Sequence, residues 1–123
     1  MAATFVSEST SLLPPVDLSI FRTLENAQQY FEPWMVDEPY TAFDAVGHRL
    51  IMRPASDRYE VRFQIVQNED PQPSILEGLI KGHLKLLTNP KVRKPLDLNS
   101  KQIDTMTLNE LLETIGKYDL YDT

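Results

Sequence analysis

Midway along the chain the apolar residues change their period from two to between three and four, and this constrains the fold more than any other feature. Tyr59, Val61, Phe63 and Ile65 alternate with Glu60, Arg62 and Gln64, the pattern of a strand with one buried face and one wet face. After the turn-like NEDPQP, Ile75, Leu76, Leu79, Ile80, Leu84 and Leu87 recur at helical spacing, predicting a helix capped by Ser74 with a continuous apolar stripe. A strand that must bury one face and a helix that must bury one stripe complement each other. They call for a helix-on-sheet layer.

The other elements follow from local signals. Residues 1–15 mix Ser, Thr and Pro with scattered apolar side chains and read as a tail or edge strand ending at Pro14 and Pro15, with order beginning near Val16. Leu18 and Ile20 alternate briefly, and Thr23 then stands as N-cap of a short helix over 24–31, where Leu24, Ala27, Tyr30 and Phe31 recur at helical spacing. Ala42 and Phe43 on one side, and Leu50, Ile51 and Met52 on the other, flank Asp44 to His48. This predicts a hairpin whose Gly47 adopts a positive φ. Gly78 and Gly82, four apart in the long helix, would allow close approach by a neighbouring element. TNPKVRKPLDLNSKQ, with two prolines and four bases, reads as a long connection. Thr107 and Glu110 match a capping box before Leu108, Leu111, Leu112 and Ile115, and Gly116 is a natural stop.

Residues 16–123 thus form a single α+β domain, a small antiparallel sheet with helices packed on one face. Its expected core is Phe43, Leu50, Val61, Phe63, Ile65, Leu76, Leu79, Ile80, Leu111, Leu112 and Ile115.

Composition narrows the function. With no cysteine, disulfides, thiol nucleophiles and thiolate metal sites are excluded. No apolar run approaches the roughly 20 residues of a membrane helix, and the N-terminus lacks a basic leader followed by an apolar stretch, so a cytoplasmic location is expected. The net charge is -6, with a local reversal from Lys81 to Lys101, where six bases face Asp97 alone. An acidic chain argues against nucleic-acid binding, and that basic stretch reads most simply as a solvated face.

His48 and His83 are the only imidazoles, and no HExxH, GxSxG, GxGxxG or Walker pattern is present. His48, four residues after Asp44 in the turn, reads as solvated, and His83 beside the apolar stripe as structural. Asp37, Glu38 and Asp44 could make a base or metal site, but neighbouring loop carboxylates usually point apart. No enzyme activity, cofactor or metal is expected.

The run from Tyr30 to Leu50 gathers Tyr30, Phe31, Tyr40, Phe43 and the only Trp, interleaved with Glu32, Asp37, Glu38 and Asp44. Its plain reading is core and lip, since aromatics supply the largest buried area per residue. Its functional reading is an interface in which Trp34 and Tyr40 anchor a basic protein while Asp37, Glu38 and Asp44 steer it.

The segment LENAQQYFEPWMVDEPYTAFDAVGHRL, roughly residues 24–50, resembles the opening of small bacterial immunity-type proteins of polymorphic toxin systems. There a helix, an EPW tripeptide and a YxAFDxxGxxL hairpin follow one another. Matching residues are Leu24, Glu25, Ala27, Tyr30, Glu32, Pro33, Trp34, Tyr40, Ala42, Phe43, Asp44, Gly47 and Leu50. The resemblance implies a compact, acidic, cytosolic protein that binds and blocks a partner toxin and has no catalytic residues. Two other classes share the composition: a structural or adaptor protein, and a small-ligand-binding domain with a deep pocket gathering a histidine with acids.

Overall fold

The computed structural model describes residues 3–7, 18–31, 40–54, 61–88 and 97–122. In chain order the elements are β1 (Thr4–Ser7), β2 (Leu18–Phe21), α1 (Leu24–Tyr30), β3 (Thr41–Asp44), β4 (Arg49–Pro54), β5 (Val61–Ile65), α2 (Pro73–Leu87), α3 (Ser100–Asp104) and α4 (Leu108–Lys117). The five strands make one antiparallel sheet in the order β2-β1-β3-β4-β5. The α+β class holds.

Residues 4–7 correct the expectation of a tail or edge strand. Phe5 is in register with Ile20 on one side and Phe43 on the other, so β1 is an interior strand, and all four of its residues are buried. Four residues are too few to display alternation, and both partners come from later in the chain.

Strand alternation sorts the sheet's side chains onto two faces. Phe5, Leu18, Ile20 and Phe43 point to one, where Leu76, Leu79, Ile80 and Leu84 of α2, Ile103 of α3, and Leu111 and Ile115 of α4 complete a core. Val6, Phe21, Ala42, Leu50, Val61 and Phe63 point to the other, where they meet Ala27 and Phe31. Three helices therefore share one face, as expected of the layer, and the short α1 lies on the opposite one.

α1 touches both β2 and β5, the two edges of the sheet. In a flat five-stranded sheet those edges would lie about 19 Å apart. Phe31, just past α1, has its ring centroid 5.8 Å from that of Phe21 on β2 and 6.0 Å from that of Phe63 on β5. The sheet is therefore curled, and α1 with Phe31 fills its concave side.

The helix termini show which local signals governed. Thr23 caps α1 by accepting from the Asn26 N–H, and Thr107 and Glu110 form the expected capping box on α4. Asn99 and Gln102 form a second capping box that starts α3 inside the stretch read as a connection; the N-x-x-Q spacing was its signal. Ser74 does not cap α2. The helix begins at Pro73 after Gln72, whose side chain makes no capping bond, but whose backbone N–H donates to the Gly47 carbonyl at 2.8 Å. Gly116 does not stop α4, which runs to Lys117. Asp119 takes the left-handed position at φ 50°, and the bonds from Asp119 N–H to Gly116 and from Leu120 N–H to Ile115 complete a Schellman turn.

Gly47 has φ 100°, as expected, and a Cβ there would stand 2.7 Å from the Pro73 nitrogen, so the turn needs glycine for its conformation and for its contact with α2. Gly78 is exposed with open space around it, so among the described residues no element approaches there. Of the expected core, Leu112 is only half-buried and Ile65 is exposed. Ile65 closes β5 at the sheet's edge, and its alternation continues past the cover that buries Val61 and Phe63.

Candidate functional site

Of the five residues proposed as a partner-binding face, Trp34, Asp37 and Glu38 lie outside the described residues. Tyr40 and Asp44 bracket β3.

Tyr40 is half-buried, its ring 5.2 Å from that of Phe31 in an edge-on arrangement. Phe31 also meets Tyr30 at 5.0 Å, and Tyr30 meets Phe21 at 5.3 Å. Edge-to-face pairs of this kind each add about 0.5–1.5 kcal/mol beyond the area they bury. The segment 32–39 thus begins and ends at two side chains in contact, on a base made rigid by an aromatic cluster.

Asp44 has a different occupation. Its Oδ1 accepts from the backbone N–H groups of Val46, Gly47 and His48 at 3.0, 2.9 and 2.8 Å, and its Oδ2 lies 2.9 Å from Nδ1 of His48. A carboxylate that collects three turn amides and an imidazole is a turn-forming group. Asp44 therefore holds the hairpin. His48, expected to be merely solvated, is the imidazole in that arrangement. His83 is buried on α2, where its Nδ1 accepts the Leu18 N–H at 3.2 Å, the structural role expected of it.

Beside this hairpin the concave side of the sheet opens into an apolar groove of about 310 Å³, bordered by Leu24, Ala45, Val46, Leu50, Phe63 and Ile65. Val46 is 58% and Ile65 52% exposed, so two branched apolar side chains stand at its mouth. Neither was among the proposed site residues. The signals were a valine in an otherwise polar turn and an isoleucine ending an edge strand.

The charges near β5 are specific. Glu69 accepts from Arg49 at 2.7 Å through Nη2 and at 3.1 and 3.2 Å through Nε, and this fork holds the Glu69 carboxyl below its ordinary pKa. The same hydrogen bonds raise Arg49. Among the described residues no group of three or more His, Cys, Asp or Glu could hold a metal ion, and no helix is long and apolar enough to cross a membrane. Comparison with protein-family models, curated protein sequences and solved structures found nothing that matches the chain.

Proposed function

We propose that this chain is a cytosolic bacterial binding protein that neutralises a basic partner, a toxin, by stoichiometric contact, with the segment between Phe31 and Tyr40 as the principal contact. The observation that carries the reading is the clamped base of that segment. The rings of Phe31 and Tyr40, the residues that flank the stretch containing Glu32, Trp34, Asp37 and Glu38, meet edge-on with centroids 5.2 Å apart. Fixing both ends of a contact segment lowers the ordering entropy lost on binding. Trp34 supplies the anchor, Asp37 and Glu38 the long-range attraction to a basic surface, and Val46 and Ile65 an apolar flank at the neighbouring groove.

The test is co-production of the chain with the product of an adjacent secreted-toxin gene. A one-to-one complex and rescued growth are expected. Asp37→Lys with Glu38→Lys should slow association and weaken its salt dependence, whereas Trp34→Ala should mainly speed dissociation. Rescue that survives all three substitutions, or the absence of any complex, overturns the reading. Quenching of Trp34 fluorescence by a neutral solute gives a partner-free check: efficient quenching is expected, and a fully shielded indole removes Trp34 as anchor.

A further inference from the structure

At the hairpin end of the concave face four strands border one space. Thr4 of β1 and Asp44 of β3 are direct register partners, so their Cβ atoms stand about 4.5–5.5 Å apart on that face, and Leu50 of β4 is paired in the same way with Ile65 of β5. All four line the groove of about 310 Å³. Its remaining walls are apolar, so polar groups meet the space only at the corner of Thr4 and Asp44. The Asp44 carboxylate is already engaged there by three turn amides and by His48. Thr4 differs: it is only 1% exposed, yet no hydrogen bond joins its hydroxyl to another of the described residues. Among those residues no side-chain oxygen sealed from solvent lacks a partner. The Thr4 hydroxyl is therefore unsealed, and the groove it lines is where it opens.

A space of this size holds about ten waters at roughly 30 Å³ each. Each water wants two to four polar partners, and the groove offers one hydroxyl and one engaged carboxylate. Most of that water is poorly bonded, and apolar groups that displace such water gain affinity. We propose that the groove binds an uncharged small molecule of about ten non-hydrogen atoms, an apolar chain that ends in one hydroxyl, as in a medium-chain alcohol. The hydroxyl meets Thr4, and the chain lies along Leu50 and Phe63 towards the exposed Ile65 and Val46. The volume stands at the small end of the range for ligand sites, about 300–1,000 Å³. The same corner selects against charge: the part-exposed Asp44 carboxylate and a net charge of -6 repel an anionic head, so a fatty carboxylate of equal length fits poorly. Val46 and Ile65 also flank the contact proposed above, but binding of the small molecule belongs to the free chain and does not rest on that reading.

The probe is nonanol, titrated into the chain while amide and methyl shifts are read by nuclear magnetic resonance. Saturable, sub-millimolar binding is expected, with shifts centred on Thr4, Val46, Leu50 and Ile65. Nonanoate should bind roughly tenfold more weakly. Thr4→Val exchanges the hydroxyl for a methyl on a buried strand; it should weaken nonanol roughly fivefold without lowering the melting temperature. Ile65→Asp changes an exposed position, so the fold should persist, with amide shifts elsewhere unchanged, while nonanol binding falls roughly tenfold. Binding that is absent, spread over the whole surface, equal for nonanoate, or unchanged in Thr4→Val overturns the proposal. So does a groove that ignores nonanol and shifts only when a protein partner is added, which would make it a socket for that partner's side chains.

Discussion

The two edges of the sheet are protected to different degrees. At β2 the outward N–H of Leu18 goes to buried His83, the N–H of Ile20 to the Asp122 carboxylate at 2.5 Å, and the Ile20 carbonyl accepts the Asp122 N–H at 2.8 Å. Arg22, just past β2, pairs with Asp119 and lies 4.4 Å over the Tyr121 ring. At β5 the Phe63 N–H is taken by Oε1 of Gln28 at 3.0 Å, and the strand ends in the exposed Ile65. An open edge is a template for another chain, and proteins cover edges or charge them when no partner is wanted. Here one edge is stitched by residues far along the chain, while at the other the Gln28 side chain of α1 holds the Phe63 N–H. The contrast leaves β5 the more open of the two edges.

The largest test of that contrast is Phe63→Ala. It empties a buried site shared by β5 and the aromatic cluster and should lower stability by about 3–5 kcal/mol in denaturant unfolding. A loss below about 1 kcal/mol would mean that β5 contributes little to the core. Gly47→Val comes next, since it combines a left-handed φ with a Cβ 2.7 Å from the Pro73 nitrogen. Strain of that kind costs about 1–3 kcal/mol before the clash is counted. Thermal unfolding unchanged by the substitution would remove the link between hairpin and α2.

The edges themselves are compared by Asp122→Ala and Gln28→Ala. The first leaves the N–H of fully buried Ile20 without its acceptor, at about 1–3 kcal/mol, and should speed hydrogen exchange along β2. The second should cost about 0.5–1.5 kcal/mol, since the Phe63 N–H lies at an open edge that water can reach. If Gln28→Ala proves the costlier change, β5 is the sealed edge and the comparison reverses.

The smallest effect is of pH. The fork from Arg49 lowers Glu69, and the Thr107 backbone and hydroxyl lower Glu110. Both carboxylates are depressed in the folded chain, so their contribution is present above the ordinary value of 4.5 and is lost as pH falls through the lower folded values. Glu69→Gln and Glu110→Gln should each flatten the acid side of a melting-temperature profile. The first acts beside β5, and the second on the helix leading to the β2 stitch.

The sequence was legible where a feature is local. The Thr107 and Glu110 capping box, the Thr23 cap, the hairpin with its positive-φ Gly47 and the inward faces of Val61 and Phe63 each depend on neighbours within a few residues. β1 was not legible, because its buried interior place is decided by strands it meets only after folding. The turn-forming role of Asp44 was not legible for a related reason: only coordinates show the amides of Val46, Gly47 and His48 converging on its carboxylate. Ile65 carries the same alternation as Phe63, and its place at the end of β5, past the cover that buries Phe63, makes one surface and the other core.

The bond from the Gln72 N–H to the Gly47 carbonyl has a consequence for cooperativity. Starting a helix costs several dihedral angles for its first hydrogen bond, and α2 starts without a side-chain cap. Its first residues are instead positioned by a turn more than twenty positions earlier, itself drawn together by one carboxylate. Hairpin and helix are thereby joined into a single opening unit. The amides of Gly47, His48 and Gln72 should exchange with solvent through one shared event, although they belong to different elements.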